Sequence, residues 1–376
     1  MPKDTRPMGK RVKIKTKVSD LIKMMPVKII LFALAGALFA GVYVHLNMEP
    51  VAVSSLVPVS SVEGAVPQPS AVGSPDNPEE LGAVHWLREL AVGKAQAKAS
   101  GKPLLILFQE VPGCSNCTRY GNSTLSHPLI VEAIESLFIP VCIYNNKSGQ
   151  DAAALKRFGE AAWNNPVVRI VCDDDRDVVP RLADFGSSYQ LVNGMRRALE
   201  ASGTAVPPYM ELLEAELMAR ESGLETATFS MYCFWSGEGT FGAIPGVIET
   251  APGFQNGKEV VQVTFNPAVV QKAALEERTH PKGITACSKN EGFRSDKEPK
   301  YYLAQTDYRF VPMTTLQACR ANSLAGNSKK PDEVLSPRQL ALVKKIREQP
   351  EKKWKNMIGR NDLAKAWGET GGASNK

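Results

Sequence analysis

Hydrophobic and polar positions along this chain fall into blocks whose period changes, and each change marks an element. The first block, Ile29–Leu46, is 18 residues long and contains no Asp, Glu, Lys or Arg. A helix of that length, at about 1.5 Å per residue, nearly crosses a hydrocarbon layer of roughly 30 Å. Residues 47–80 are rich in Pro, Ser, Val and Gly without an amphipathic period, and read as a flexible linker. From Leu81 the pattern is that of an α/β domain. Val84–Ala99 has helical spacing through Trp86, Leu87, Leu90 and Ala91, and Pro103–Phe108 is a short, unbroken apolar run suited to a strand buried on both faces. Helices are predicted at 128–136, 151–162 and 189–201, and strands at 137–144 and 167–172, the latter opened by Pro166.

Two prolines in Gly203–Pro208 mark a boundary, and the helix Tyr209–Glu221 carries Met210, Leu213 and Leu217 on one stripe. A second unit begins with a strand at 226–231, followed by a helical segment at 237–244 and an alternating strand at 259–265. Beyond His280 the chain reads as loop until Ser336-Pro337, an N-cap with proline at the first helical position, starts a helix at 338–348. The last dozen residues read as frayed. The division expected is a basic tail 1–28, a membrane anchor 29–46, a linker 47–80, an α/β domain 81–202, a connecting helix 203–223, an α+β domain 224–350 and a tail 351–376.

Charge changes the picture only at the N-terminus. The formal net charge is +6, but residues 1–28 hold nine Lys/Arg against Asp4 and Asp20, and the remainder balances near −1. Without a basic patch outside the tail, no nucleic-acid partner is expected. A cationic segment before a single apolar run directs the N-terminus to the cytoplasm and the folded part outside it. A cleaved signal peptide is the alternative, with a long n-region and Ala-x-Ala patterns that lie inside the apolar run.

Seven cysteines follow the apolar run: Cys114, Cys117, Cys142, Cys172, Cys233, Cys287 and Cys319. An odd number outside the cytoplasm leaves at least one thiol unpaired or used in turnover. Cys114 and Cys117 are separated by two residues, directly after a predicted buried strand and at a predicted helix start. Backbone N–H groups there favour the thiolate, so Cys114 is the expected nucleophile, and Cys117, one turn on, the thiol that resolves a mixed disulfide. A structural disulfide or half of a zinc site are the other readings; zinc would need further ligands, and the chain has four His. Cys142 and Cys172 fall in predicted strands and are expected to be inert. No metal or other cofactor is expected.

The element order over residues 81–202, with Val111-Pro-Gly-Cys114-Ser-Asn-Cys117, resembles the thioredoxin superfamily. That resemblance implies a thioredoxin-like fold, and it assigns to Pro166 the role of the cis-proline beside the active cysteines, on the substrate side. The string Cys233-Phe-Trp235, Phe241, Pro245-Gly-Val247, Gly253-Phe254 and Glu259 through Asn266-Pro267 resembles methionine sulfoxide reductase A, which implies a ferredoxin-like α+β domain. By that resemblance Cys233 is the nucleophile, Glu259 the acid, and Phe234 and Trp235 the pocket for the substrate methyl. Tyr308 is a candidate substrate-binding residue, and Cys287 or Cys319 the resolving thiol. Such chemistry needs a thiolate to attack the sulfoxide sulfur and an acid to protonate its oxygen, leaving a sulfenic acid on the cysteine.

The sequence departs from that family at Tyr232 and Ser236, where the family has glycines. Four residues separate Phe254 from Glu259, where the family has a longer loop with a substrate-binding tyrosine. The expected function is a membrane-anchored thiol oxidoreductase acting outside the cytoplasm on oxidised proteins or peptides. Cys233 would reduce methionine sulfoxide, the Cys114/Cys117 pair would regenerate it, and a membrane or external thiol reductant would supply electrons. The alternatives are a disulfide oxidoreductase with a silent second domain, and a non-enzymatic metal-handling protein.

Overall fold

The unbroken apolar run after Pro103 becomes β1 (Leu104–Gln109), every residue of which is buried. Alternate side chains serve two cores. Leu105 and Leu107 face one layer of helices, while Leu104, Ile106 and Phe108 face the other. Each fully buried leucine or phenylalanine contributes about 2 kcal/mol, so this strand anchors the domain around it. In this computed structural model, residues 77–183, 187–360 and 362–370 are described. The basic tail, the apolar run 29–46 and nearly all of the linker lie outside them. Among the described residues, no helix is long and apolar enough to cross a membrane.

β1 pairs in parallel with β2 (Ile139–Tyr144) and antiparallel with β3 (Val167–Val171), giving the order β2-β1-β3. Helices α1 (Leu90–Ser100), α2 (Ser115–Ser123), α3 (Pro128–Leu137), α4 (Gln150–Phe158) and α5 (Ser188–Ala201) pack around this sheet. The helix expected from Val84 begins only at Leu90. Val84 is wholly buried, and Leu87 forms a parallel bridge to Val141, because the free edge of β2 needs backbone partners. Gly93 then lets α1 approach, since a Cβ there would lie 2.4 Å from Val141.

Helix α6 (Pro208–Ser222) leads to a five-stranded antiparallel sheet, β7-β4-β6-β5-β8, made of β4 (Glu225–Ser230), β5 (Val247–Gln255), β6 (Lys258–Phe265), β7 (Thr285–Ala286) and β8 (Arg294–Ser295). β5 is absent from the sequence reading. It joins β6 through Asn256 and Gly257, both at positive φ (51° and 75°), the two-residue turn that an Asn-Gly pair favours. Helix α7 (Phe234–Gly242) lies on this sheet, with α8 (Lys272–Thr279) following β6.

The region expected to be loop-rich is ordered. It contains α9 (Tyr301–Ala304) and the 12-residue α10 (Thr315–Gly326), before α11 (Pro337–Glu348) and α12 (Leu363–Glu369). Both α10 and α11 start with capping boxes, Thr314/Gln317 and Ser336/Gln339. The two glutamines are fully buried and bond to each other reciprocally, at 2.9 and 3.0 Å. Of the last dozen residues, expected to fray, 365–369 belong to α12, with Trp367 7% exposed, while 371–376 lie outside the described residues.

These last helices return to the first domain. Leu342, Val343, Ile346, Leu363 and Trp367 share one core with Ile130, Ile134 and Phe138. Glu132 of α3 accepts the N–H of Arg338 at the start of α11 (2.8 Å), and Glu216 of α6 accepts that of Leu316 in α10 (2.9 Å). All the described residues fall in one compact unit.

Candidate functional site

Two cysteine sites are built on the same local device, a cysteine at the N-cap of a helix that follows a strand. The first is Cys114, the N-cap of α2, with an exposed side chain. Its Sγ lies 3.5 Å from that of Cys117, which is completely buried in the first turn. The Cys117 thiol donates to Oδ1 of Asn165 (2.8 Å), and the Asn165–Pro166 peptide bond is cis. The backbone N–H of Cys117 lowers the Cys114 thiol below its ordinary value, assisted by the Cys117 thiol, while burial pushes Cys117 up to about 11. One sulfur is thus exposed and readily ionised, and the other is held protonated behind it.

The loop before Cys114 has no slack. Gly113 N–H donates to Glu80 Oε1 (2.6 Å), and a Cβ on Gly113 would come within 2.3 Å of the Glu110 carbonyl and 2.7 Å of the Cys117 Cβ. Gln109 ties the same corner together, donating to the carbonyls of Glu80 (2.6 Å) and Cys117 (3.2 Å). Among the described residues, one group of three side chains has the donor atoms to hold a metal: Glu110, Cys114 and Cys117, all within 4.8 Å of one another. This is one donor short of a structural zinc site.

The second site begins at Cys233, the half-buried N-cap of α7. The N–H of Phe234, the next residue, donates to Glu259 Oε2 (2.9 Å), so the helix start holds a carboxylate beside the cysteine. Glu259 is carried there by β6, whose ladder to β4 continues with Met231 N–H donating to the Glu259 carbonyl (3.2 Å). Phe234 meets Trp235 and Phe254 edge-to-face, at 5.5 and 5.4 Å between centroids. Tyr232 before the cysteine is 98% exposed. Cys233, Phe234, Trp235 and Glu259 therefore stand together at the start of α7.

Tyr308 does not join them. Its hydroxyl donates to Asp332 (2.6 Å), Arg347 lies over its ring at 5.2 Å, and it is 5% exposed in the core shared with the first domain. Its apolar ring is claimed by the helices packed around it. The aromatic partners at the site are instead Tyr301 and Tyr302, which the sequence reading missed. Tyr301 stacks flat on Trp235 (3.9 Å, 11°), and the Tyr302 hydroxyl lies 3.3 Å from Ser236 Oγ. Their signal was a tyrosine pair standing alone after the polar run Ser295–Lys300.

The two candidate resolving thiols differ sharply. Cys319 is completely buried on α10, against Gly242 and with Sγ 3.9 Å from Thr250 Oγ1, and burial raises its pKa. Gly242 ends α7, about 13 Å along the helix axis from its cysteine end. Cys287 is half-buried directly after the edge strand β7, its N–H donating to the Thr228 carbonyl (2.8 Å); burial raises its thiol as well, but Lys258 and Lys272 oppose that shift. Cys142 is fully buried with its thiol pushed far up by burial, whereas Cys172 is half-buried where β3 ends.

Residues 85–198 match the family model described as thioredoxin-like, and this part of the chain has that fold. The chain is also similar to peptide methionine sulfoxide reductase MsrA of Methanoculleus marisnigri, at 43% identity over 75 positions, covering 15% of this chain and 46% of that protein. The MsrA proteins of Rhodospirillum centenum (39% over 71 positions, 14% of this chain and 32% of that protein) and Methanococcus maripaludis (41% over 68, 14% and 43%) are similar too. Residues 85–198 are thus thioredoxin-like, and the chain also resembles MsrA proteins over a stretch that spans less than half of their length.

Proposed function

We propose that this protein is a two-site thiol oxidoreductase that reduces methionine sulfoxide in oxidised peptides or proteins. The observation that carries this reading is the Glu259 carboxylate fixed to the N–H of Phe234, beside a helix-capping cysteine and under an aromatic wall. In the reaction, the Cys233 thiolate attacks the sulfoxide sulfur while Glu259 delivers a proton to the oxygen. The oxygen ends on Cys233 as a sulfenic acid, and the methionine leaves as a thioether. A second thiol then attacks the sulfenic acid, releasing water and forming a disulfide. Cys114 attacks that disulfide, and Cys117 resolves the mixed disulfide. Joining both sites in one chain gives an effective concentration that a free reductant rarely reaches.

The test is turnover of a methionine sulfoxide peptide by the full-length chain with dithiothreitol as reductant. Activity that disappears in Cys233→Ser supports the reading. No activity in a wild-type protein whose Cys114/Cys117 pair still exchanges disulfides would leave a disulfide oxidoreductase with a silent second domain. One observation favours that second reading: the tight Asn256–Gly257 hairpin leaves no loop over Cys233 from β5 and β6.

For location, we propose that the basic tail and Ile29–Leu46 anchor the chain with both sites outside the cytoplasm. An alkaline phosphatase fused after residue 80 is expected to be active. An inactive fusion, with a cytoplasmic reporter active at the same point, would overturn this.

A further inference from the structure

One buried carboxylate holds the Lys300–Tyr302 segment onto the Cys233 site. Glu238, on the second turn of α7, is completely buried. Its Oε2 accepts the backbone N–H of Lys300 (3.0 Å), and its Oε1 accepts the Lys300 ammonium (3.1 Å). The same ammonium donates to Thr250 Oγ1 (3.2 Å) and to the Thr250 carbonyl. Lys300 itself sits in the left-handed region, φ 56° and ψ 48°, which a long side chain seldom adopts. A buried ion pair adds little net stability, because desolvating both charges offsets most of their attraction. A left-handed lysine kept for stability alone would be a poor solution.

What the pair does achieve is the placement of the next two residues. Tyr301 lies flat on Trp235, and the Tyr302 ring fills space left by Gly326, where a Cβ would come 2.6 Å from the ring. Trp235 and Ser236 follow Cys233 by two and three positions, so both contacts fall in the first turn of α7.

We propose that Glu238 and Lys300 are positioning residues for the Cys233 site: their buried pair fixes Tyr301 and Tyr302 as the wall that receives the sulfoxide-bearing side chain. The identity of that side chain rests on the proposed function; the positioning does not.

The experiment compares Lys300→Met with the double variant Glu238→Gln/Lys300→Met, which removes both charges together. A third variant, Thr250→Val, removes one partner of the ammonium and is the mildest. The stacked pair is read by near-ultraviolet circular dichroism, as the band lost in Tyr301→Leu. We expect Lys300→Met to lose most of that band and to raise KM for a methionine sulfoxide peptide about tenfold, with kcat changed less than about threefold. If Lys300→Met does not fold, the double variant and Thr250→Val carry the same measurement, with a partial loss of the band expected. Folded variants that keep both band and KM would overturn the proposal. If the wild type turns over no sulfoxide, the functional reading fails, and the band alone still decides whether the pair positions the tyrosines.

Discussion

The thiol of Cys117 donates a hydrogen bond to Oδ1 of Asn165 across 2.8 Å, joining the buried sulfur of the first site to the residue before Pro166. This bond exists only while the thiol is reduced. Asn165→Leu is expected to penalise the reduced state by about 1 kcal/mol, lowering the reduction potential of the pair by about 20 mV. Equilibration against glutathione buffers measures it, and an unchanged or raised potential would count against the bond.

Alkylation should separate the two thiols of that pair by pH. Cys114 is exposed and lies below the ordinary thiol value, so its rate with iodoacetamide should level off at lower pH than that of a free cysteine. Cys117, pushed up to about 11 by burial, is ionised to only about one part in ten thousand at pH 7. Peptide mapping at pH 7 should find Cys114 labelled more than about 100-fold faster. Equal rates would rule out this division of roles.

Glu259→Gln keeps an oxygen for the Phe234 N–H but has no acidic proton to give. Sulfoxide turnover is expected to fall about 100- to 1,000-fold, while alkylation of Cys233 stays within about threefold. A variant with near wild-type turnover would remove Glu259 from the chemistry.

The resolving thiol should be Cys287 rather than Cys319, because only Cys287 reaches the surface. In a Cys117→Ser variant driven through oxidative turnover, peptide mapping should find Cys114 trapped with Cys287. Recovery of Cys319 in that disulfide would show that α10 opens during turnover. No disulfide between the two sites under any oxidant would mean that they act separately.

By itself, the sequence determined the features that are local. The run Leu104–Phe108 predicted a doubly buried strand because no polar side chain interrupts it. Cys114-x-x-Cys117 at the end of that strand predicted its helix-capping geometry, and the Cys233-Phe-Trp235 string with Glu259 predicted the second cluster. Two further local signals were present but unread: the Asn256–Gly257 turn that creates β5, and the Thr314-x-x-Gln317 box that opens α10. The rest lay in contacts between residues far apart in the chain. Ser236 and Tyr302 are 66 positions apart, and Glu132 meets Arg338 across 206. Hydrophobic period records that one face of a helix is buried, but not what covers it. Tyr308 was therefore placed at the wrong site, and the last helices were assigned away from the thioredoxin-like domain on which they pack. Which tyrosine reaches Cys233, and which cysteine is left accessible, are decided by packing between elements, and only the tertiary structure contains it.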